Sequence, residues 1–160
     1  TVTLAEARTE EGTRLLAVND FLVGRLDHIS ARYRIESGGQ SERQSSSGVL
    51  ISTGMGATGW LSSVRMAALA SGGMNIPPDP HWGEGRLVYA VREPFPSNAT
   101  GTSLVYGDVS GNMPLTLTSE MPEGGVIFSD GVPEDSLEFP AGSTLTIGIA
   151  PEQARLVHFS

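Results

Sequence analysis

The stretch Thr53-Gly54-Met55-Gly56-Ala57-Thr58-Gly59-Trp60 (TGMGATGW) follows the apolar run Val49-Leu50-Ile51. Its glycines spell G-x-G-x-x-G. In a dinucleotide-binding Rossmann unit that turn joins the first parallel strand to a helix, and an acidic residue closes the second strand about 20 residues later. Gly48 to Ser52 reads as a short buried strand, and Thr58 to Ala70 as a helix with Leu61, Val64, Ala68 and Leu69 at helical spacing. Beyond the helix the pattern breaks. Ser71-Gly72-Gly73 leads to Ile76-Pro77-Pro78-Asp79-Pro80, where three prolines and no apolar run exclude a central parallel strand. Asp79 stands at the right distance in the wrong context, and the Rossmann reading is set aside.

Outward from this turn the chain reads as short extended segments separated by Gly, Pro, Ser and Asn, the pattern of a mainly β, two-layer antiparallel sandwich with one helix after a Gly-rich turn. Strands are expected near Val2 to Arg8, Leu15 to Gly24, Ala31 to Glu36, Val49 to Ser52, Leu87 to Arg92, Ser103 to Val109 and Leu115 to Ser119. Others are expected near Gly125 to Ser129, Leu137 to Phe139, Leu145 to Ile149 and Ala154 to Phe159. Leu115 and Leu117 alternate with Thr116 and Thr118, and Leu145, Ile147 and Ile149 with Thr146 and Gly148, so each such strand has one buried and one wet face. Gly38-Gly39, Gly111-Asn112 and Asp130-Gly131 are hairpin signals. The polar run Gln40 to Ser47 is either a surface loop or a weakly paired edge. The helix either plugs the open end of the sandwich or presents its N-terminal amides to a ligand.

At 160 residues the chain fits one domain with a core of its own. There is no cysteine, hence no disulfide framework and no thiolate metal site. The formal charge is −8, and all ten basic residues are arginine. Dispersed arginines in an acidic chain exclude non-specific nucleic-acid binding, which needs a clustered basic surface. A side chain that grips a phosphate here must be an arginine, unless backbone amides at a helix start do so. No apolar run is long enough to span a bilayer, and TVTLAEARTEEG lacks a basic-then-apolar leader pattern, so neither a membrane nor a nucleic acid is expected as a partner and the default expectation is a cytoplasmic protein. His28, His81 and His158 show no metal-ligand spacing, and no metal site is expected in this chain.

Three separated pieces, Leu16 to Phe21 (LAVNDF), the S-x-G-V-L-I-S-T run from Ser46 to Thr53 and the GMGATGW turn, together resemble the C-terminal domain of the NAD kinase family. That family carries an Asn-Glu or Asn-Asp pair, then an Asp-Gly-strand-Ser-Thr-Pro-Thr-Gly-Ser-Thr-Ala-Tyr segment running into a helix. Glu93-Pro94, Pro114-Leu115 and Phe128-Ser129-Asp130-Gly131 fall where that domain has turns and its Asp-Gly hairpin. The resemblance covers nearly all of the chain and implies a nucleotide site built from Asn19, Asp20, Ser47, Gly56, Thr58, Gly59, Trp60, Ser63 and Asp130. Within it, the glycines would let backbone approach a flat base, Thr58 would serve the base edge, and Trp60, in place of the family's tyrosine, would be an aromatic wall. Asn19 is the expected ligand contact of its pair, because adjacent strand residues point to opposite faces. Thr58 also reads as a helix N-cap, and Asp130 as an ordinary hairpin residue.

Departures from the family are equally specific. Met55 and Ala57 stand where the family has hydroxyls, and Ser47 where it has an aspartate directed to the second ribose, so weaker NAD binding is expected. The Gly-Gly-Asp-Gly-Thr motif, which in the family binds the phosphate donor and supplies the base, is absent from these residues. The expectation is therefore a fragment of a longer NAD-kinase-like phosphotransferase, inactive alone, with NAD or a related nucleoside or sugar as acceptor. ATP or polyphosphate with Mg2+ would be the donor, held by an N-terminal domain outside these residues. Self-association into a homo-oligomer is expected, with Leu156 to Phe159 as an apolar end. The alternative is a non-enzymatic β-sandwich for ligand binding or assembly.

Overall fold

The computed structural model describes residues 1–72 and 76–157. Two six-stranded antiparallel sheets face each other. The first runs β2 (Arg14–Ala17), β1 (Val2–Thr9), β12 (Thr144–Ala154), β9 (Leu115–Ser119), β4 (Ala31–Ser37), β5 (Gln40–Ser46). The second runs β11 (Val132–Glu138), β10 (Gly125–Ser129), β3 (Asp20–Arg25), β6 (Gly48–Ser52), β7 (Arg86–Arg92), β8 (Tyr106–Ser110), with the single described helix α1 (Trp60–Ala70) leaving the end of β6. All pairings are antiparallel, so no Rossmann unit is present among the described residues.

Strand chemistry explains the layers. Leu115, Leu117, Leu145 and Ile147 of the first sheet meet Phe21, Val23, Val49, Ile51, Leu87, Tyr89 and Val91 of the second in one buried core. The five residues of β6 are all buried because the strand is covered on both sides. Val49 and Ile51 enter the sandwich core, while Leu50 joins Val88, Ala90, Ala57 and Leu61 beneath α1. The helix therefore lies against the outer face of the second sheet and does not plug the sandwich end. Of its predicted apolar face, Leu61 and Ala68 are buried and Val64 packs partly, but Leu69 is exposed.

Other elements depart from expectation for identifiable reasons. The single strand expected over Leu15 to Gly24 is two strands in different sheets, broken at Val18-Asn19. The helix begins at Trp60 with Gly59 as its N-cap and no side-chain cap, so Thr58 is not the cap. The polar run Gln40 to Ser46 is a fully paired edge strand, its register with β4 running from Ser37↔Gln40 to Ala31↔Ser46. It is polar because an edge strand has little apolar surface to cover, although Gln44 and Ser46 turn inward to hydrogen-bond the buried Tyr33 hydroxyl at 2.9 and 2.8 Å. Burial raises the Tyr33 phenol, which stays neutral. The strand expected at Leu145 to Ile149 lies within β12, which runs on to Ala154; the separate strand expected at Ala154 to Phe159 is not there, since Arg155 to Val157 are outside any strand, and His158 and Phe159 lie outside the described residues. The strand near Leu137 begins earlier, at Val132, and the one near Ser103 begins at Tyr106. Gly38 and Gly39 have φ of 57° and 79°, and Asp130 and Gly131 of 52° and 68°, the paired positive φ of type I′ hairpins at both places.

No described helix is long and apolar enough to cross a membrane.

Candidate functional site

The second sheet brings three strand ends to one place. The start of β3 and the end of β6 are neighbours (Asp20↔Ser52), and the β10–β11 hairpin lies beside β3 through Ser129↔Phe21. Asn19 and Asp20 arrive from the first, the glycine-rich turn from the second, Asp130 from the third. Around their junction is an open pocket of about 360 Å³ lined by Asn19, Asp20, Met55, Gly56, Thr58, Gly59, Asp130 and Gly131. Six of the nine residues expected from the sequence are therefore brought together.

Asp130 organises this junction. Its carboxylate accepts the backbone N–H groups of Val18 at 2.9 Å, Asn19 at 2.6 Å and Asp20 at 3.1 Å. Its own N–H donates to the Asp20 carbonyl at 2.9 Å. Those are the residues at which the chain leaves the first sheet for the second, where ladder hydrogen bonds are missing and another acceptor is required. The Asn19 carbonyl accepts from the Thr53 N–H at 2.9 Å and from the Thr53 hydroxyl at 3.1 Å, which fastens the glycine-rich turn to the crossing. Asn19 sits in this bend and not in a strand, so strand alternation does not govern it and both Asn19 and Asp20 line the pocket. The Asn19 amide is exposed and Asp20 is half-buried.

The glycines serve the chain itself. A Cβ on Gly54 would lie 2.5 Å from the His81 carbonyl oxygen, and one on Gly56 would lie 2.2 Å from that of Asn19. Close approach of backbone to backbone, and not of backbone to a base, is what excludes a side chain at these two positions.

Three expected residues stand elsewhere. Trp60 and Ser63 line a second cleft, of about 420 Å³, between α1 and the end of β7. Trp60 also borders a small cavity of about 170 Å³ with Asp20, Leu22 and Phe128, which connects the two regions through shared walls. Ser47 lies before the start of β6, one strand length of about 15 Å from the glycine-rich turn. It is exposed and hydrogen-bonds Glu93 at 3.2 Å. Sequence reasoning did not name Met55 or Gly131 as pocket residues, nor Arg92 in the second cleft, since an arginine at the end of an apolar strand has no distinguishing pattern.

Burial raises the Asp20 carboxyl above its ordinary range, and the nearby Asp130 charge adds to that. A raised folded-state pKa means that the native state binds the proton more tightly than the unfolded chain. Ionised Asp20 thus costs stability as pH rises from the unfolded value of about 3.9 through the folded one, and the full cost is present above that. Asp20→Asn is accordingly expected to raise the melting temperature at pH 7, the gain shrinking toward zero near pH 3. A variant that melts lower than wild type at pH 7 would show that the carboxylate stabilises the fold.

Comparison with protein-family models and with curated proteins yields no match. A solved structure shares the fold. The crystal structure of yeast NADH kinase complexed with NADH matches with a TM-score of 0.66 and 15% sequence identity, over 93% of this chain and 40% of that one. The chain thus has an NAD-kinase-like fold and spans about 40% of the length of that kinase chain. At this identity the likeness is one of architecture.

Proposed function

We propose that this chain is the nucleotide-binding and assembly domain of an NAD-kinase-like phosphotransferase. Its acceptor is NAD or a related nucleoside or sugar. The donor, ATP or polyphosphate with Mg2+, and the base that deprotonates the acceptor hydroxyl belong to a Gly-Gly-Asp-Gly-Thr domain outside these residues. The observation that carries this reading is the convergence of Asn19, Asp20, Gly56, Thr58, Gly59 and Asp130 on one pocket from three separated segments, in a fold shared with yeast NADH kinase.

The chemistry of the lining fits a sugar hydroxyl. Asp20 offers acceptor oxygens, the Asn19 amide and Thr58 hydroxyl both donate and accept, and no cationic side chain among the described residues lines the pocket. Phosphoryl transfer asks little covalent chemistry of a protein, and holding the acceptor hydroxyl in line with the donor is a large part of what is required. Calorimetry of the chain, and of any longer protein that carries it, with NAD, NADH, adenosine and simple sugars tests the proposal. One of these ligands is expected to bind, and Asn19→Ala to weaken it about fivefold to tenfold, the value of a neutral hydrogen bond or two. Binding of none, or indifference to Asn19→Ala, defeats it.

The second reading, a non-enzymatic ligand-binding or assembly module, is favoured by the glycine-rich turn being required for the chain's own packing. Ligand binding without phosphoryl transfer in a longer protein carrying the chain would support it. Assembly would draw on exposed apolar side chains such as Leu16, Val18 and Val132, and on Leu156 and Val157.

A further inference from the structure

Six of the ten arginines, Arg8, Arg14, Arg25, Arg43, Arg65 and Arg86, are held in ion pairs. Arg92 differs. It is half-buried at the end of β7, yet among the described residues its guanidinium makes neither an ion pair nor a hydrogen bond. It lies 4.8 Å from the centroid of the Trp60 ring, which orients the cation without neutralising it. Its neighbour Glu93 would be the natural partner. Glu93 instead has a left-handed backbone, φ 48°, and its carboxylate accepts a hydrogen bond from Ser47. A non-glycine residue in that region stores strain of order 1 kcal/mol, sustained only where the surroundings demand it. The outcome is a guanidinium without an ion pair in a cleft of about 420 Å³ that Trp60, Tyr106, Ser63 and Ser71 line together with Glu93, whose carboxylate is engaged by Ser47 and not by Arg92. In a chain of net charge −8, a half-buried guanidinium that faces a cleft without an ion pair is available to a negative ligand group.

We infer that the Arg92 cleft is the phosphate subsite of the acceptor. The inference rests on the nucleotide-binding reading above and narrows it. The Asp20 pocket presents two carboxylates and, among the described residues, no cation, whereas the second cleft sets the Arg92 guanidinium against the single carboxylate of Glu93, so a phosphate is disfavoured in the first and neutral hydroxyls are received there. The Arg92 cleft, beyond Trp60, receives the anionic part. A ligand that satisfies both ends is a phosphorylated nucleotide, and a free nucleoside or sugar leaves the cation unused.

Fluorescence and calorimetric titrations of the whole chain, in a Trp82→Phe background that leaves Trp60 as the reporter, test this with three probes: pyrophosphate, adenosine and ADP-ribose. Pyrophosphate is expected to change Trp60 emission as Arg92 leaves the ring, and ADP-ribose to bind about tenfold or more tightly than adenosine, the scale of one charge-assisted contact. Arg92→Gln should abolish the pyrophosphate response and bring the ADP-ribose to adenosine affinity ratio close to one, and Arg92→Lys should retain part of the pyrophosphate response. An ADP-ribose to adenosine ratio that survives Arg92→Gln overturns the subsite and leaves the nucleotide-binding reading standing. A pyrophosphate response that vanishes in Arg92→Gln, with no adenosine binding, upholds the subsite and removes the nucleoside pocket. Silence toward all three probes overturns both.

Discussion

Gly56→Ala is expected to destabilise the chain by about 3 kcal/mol or more, at the upper end of what overpacking costs, and to lower its melting temperature by about 6–12 °C. The added Cβ would stand 2.2 Å from the Asn19 carbonyl oxygen, 2.7 Å from the Asn19 carbonyl carbon and 2.8 Å from the Ser52 hydroxyl. Two of those atoms are backbone and cannot rotate away. They belong to the crossing that is already tied to Thr53 and Asp130, so relief requires the glycine-rich turn to part from Asn19 and the pocket to open. Ligand binding should be lost together with stability. Gly111→Ala is the matched control, because a Cβ there meets nothing within 4 Å, and it should stay within about 0.5 kcal/mol of wild type. Thermal melts of the two variants decide the matter. Equal melting temperatures would mean that the turn has freedom the packing denies it.

Asp130→Ala should have an effect of similar size. Three backbone N–H groups, of Val18, Asn19 and Asp20, lose their common acceptor. A hydrogen bond to a charged group contributes about 1.5–3 kcal/mol, but three that share one carboxylate are not additive and water reaches part of this bend, so about 3 kcal/mol in total is expected. Asp130→Asn keeps one acceptor oxygen and a residue type that tolerates φ of 52°, and should lose less than half as much. Hydrogen exchange gives the local readout: the Val18, Asn19 and Asp20 amides should exchange much faster in Asp130→Ala, while amides of β12 follow only the global change. Unaltered exchange at these three amides would show that the crossing holds without its anchor.

Much of the fold was readable from local pattern. Alternation in LTLTS and TLTIGI marks strands with one buried face, and Gly38-Gly39 and Asp130-Gly131 mark hairpins, because in each case the deciding interaction lies within a few residues of chain. The three pieces that resemble NAD kinases include Asn19, Asp20, Gly56, Thr58 and Gly59, and these residues do line one pocket. The run LLAVNDFLV has the pattern of one strand, because apolar content does not record which sheet a residue joins. The break is made by Asp130, 112 residues beyond Val18 in sequence. Likewise Gln40 to Ser46 has the composition of a loop, and only pairing with β4 makes it a strand. The identity of Gly56 is visible in the sequence, but its reason is the Asn19 carbonyl pressed against it. Arg92 carries no mark in the sequence, and its lack of an ion pair follows from a stacked tryptophan and a neighbouring glutamate that is bonded elsewhere. The sequence by itself determined a β-sandwich with one helix after a glycine-rich turn, together with most of the pocket residues, since periodicity and turn chemistry are local properties. Tertiary structure alone decided where the chain changes sheets, what the glycines and Asp130 hold together, and which guanidinium faces a cleft without an ion pair, since each of these depends on atoms brought close from distant parts of the chain.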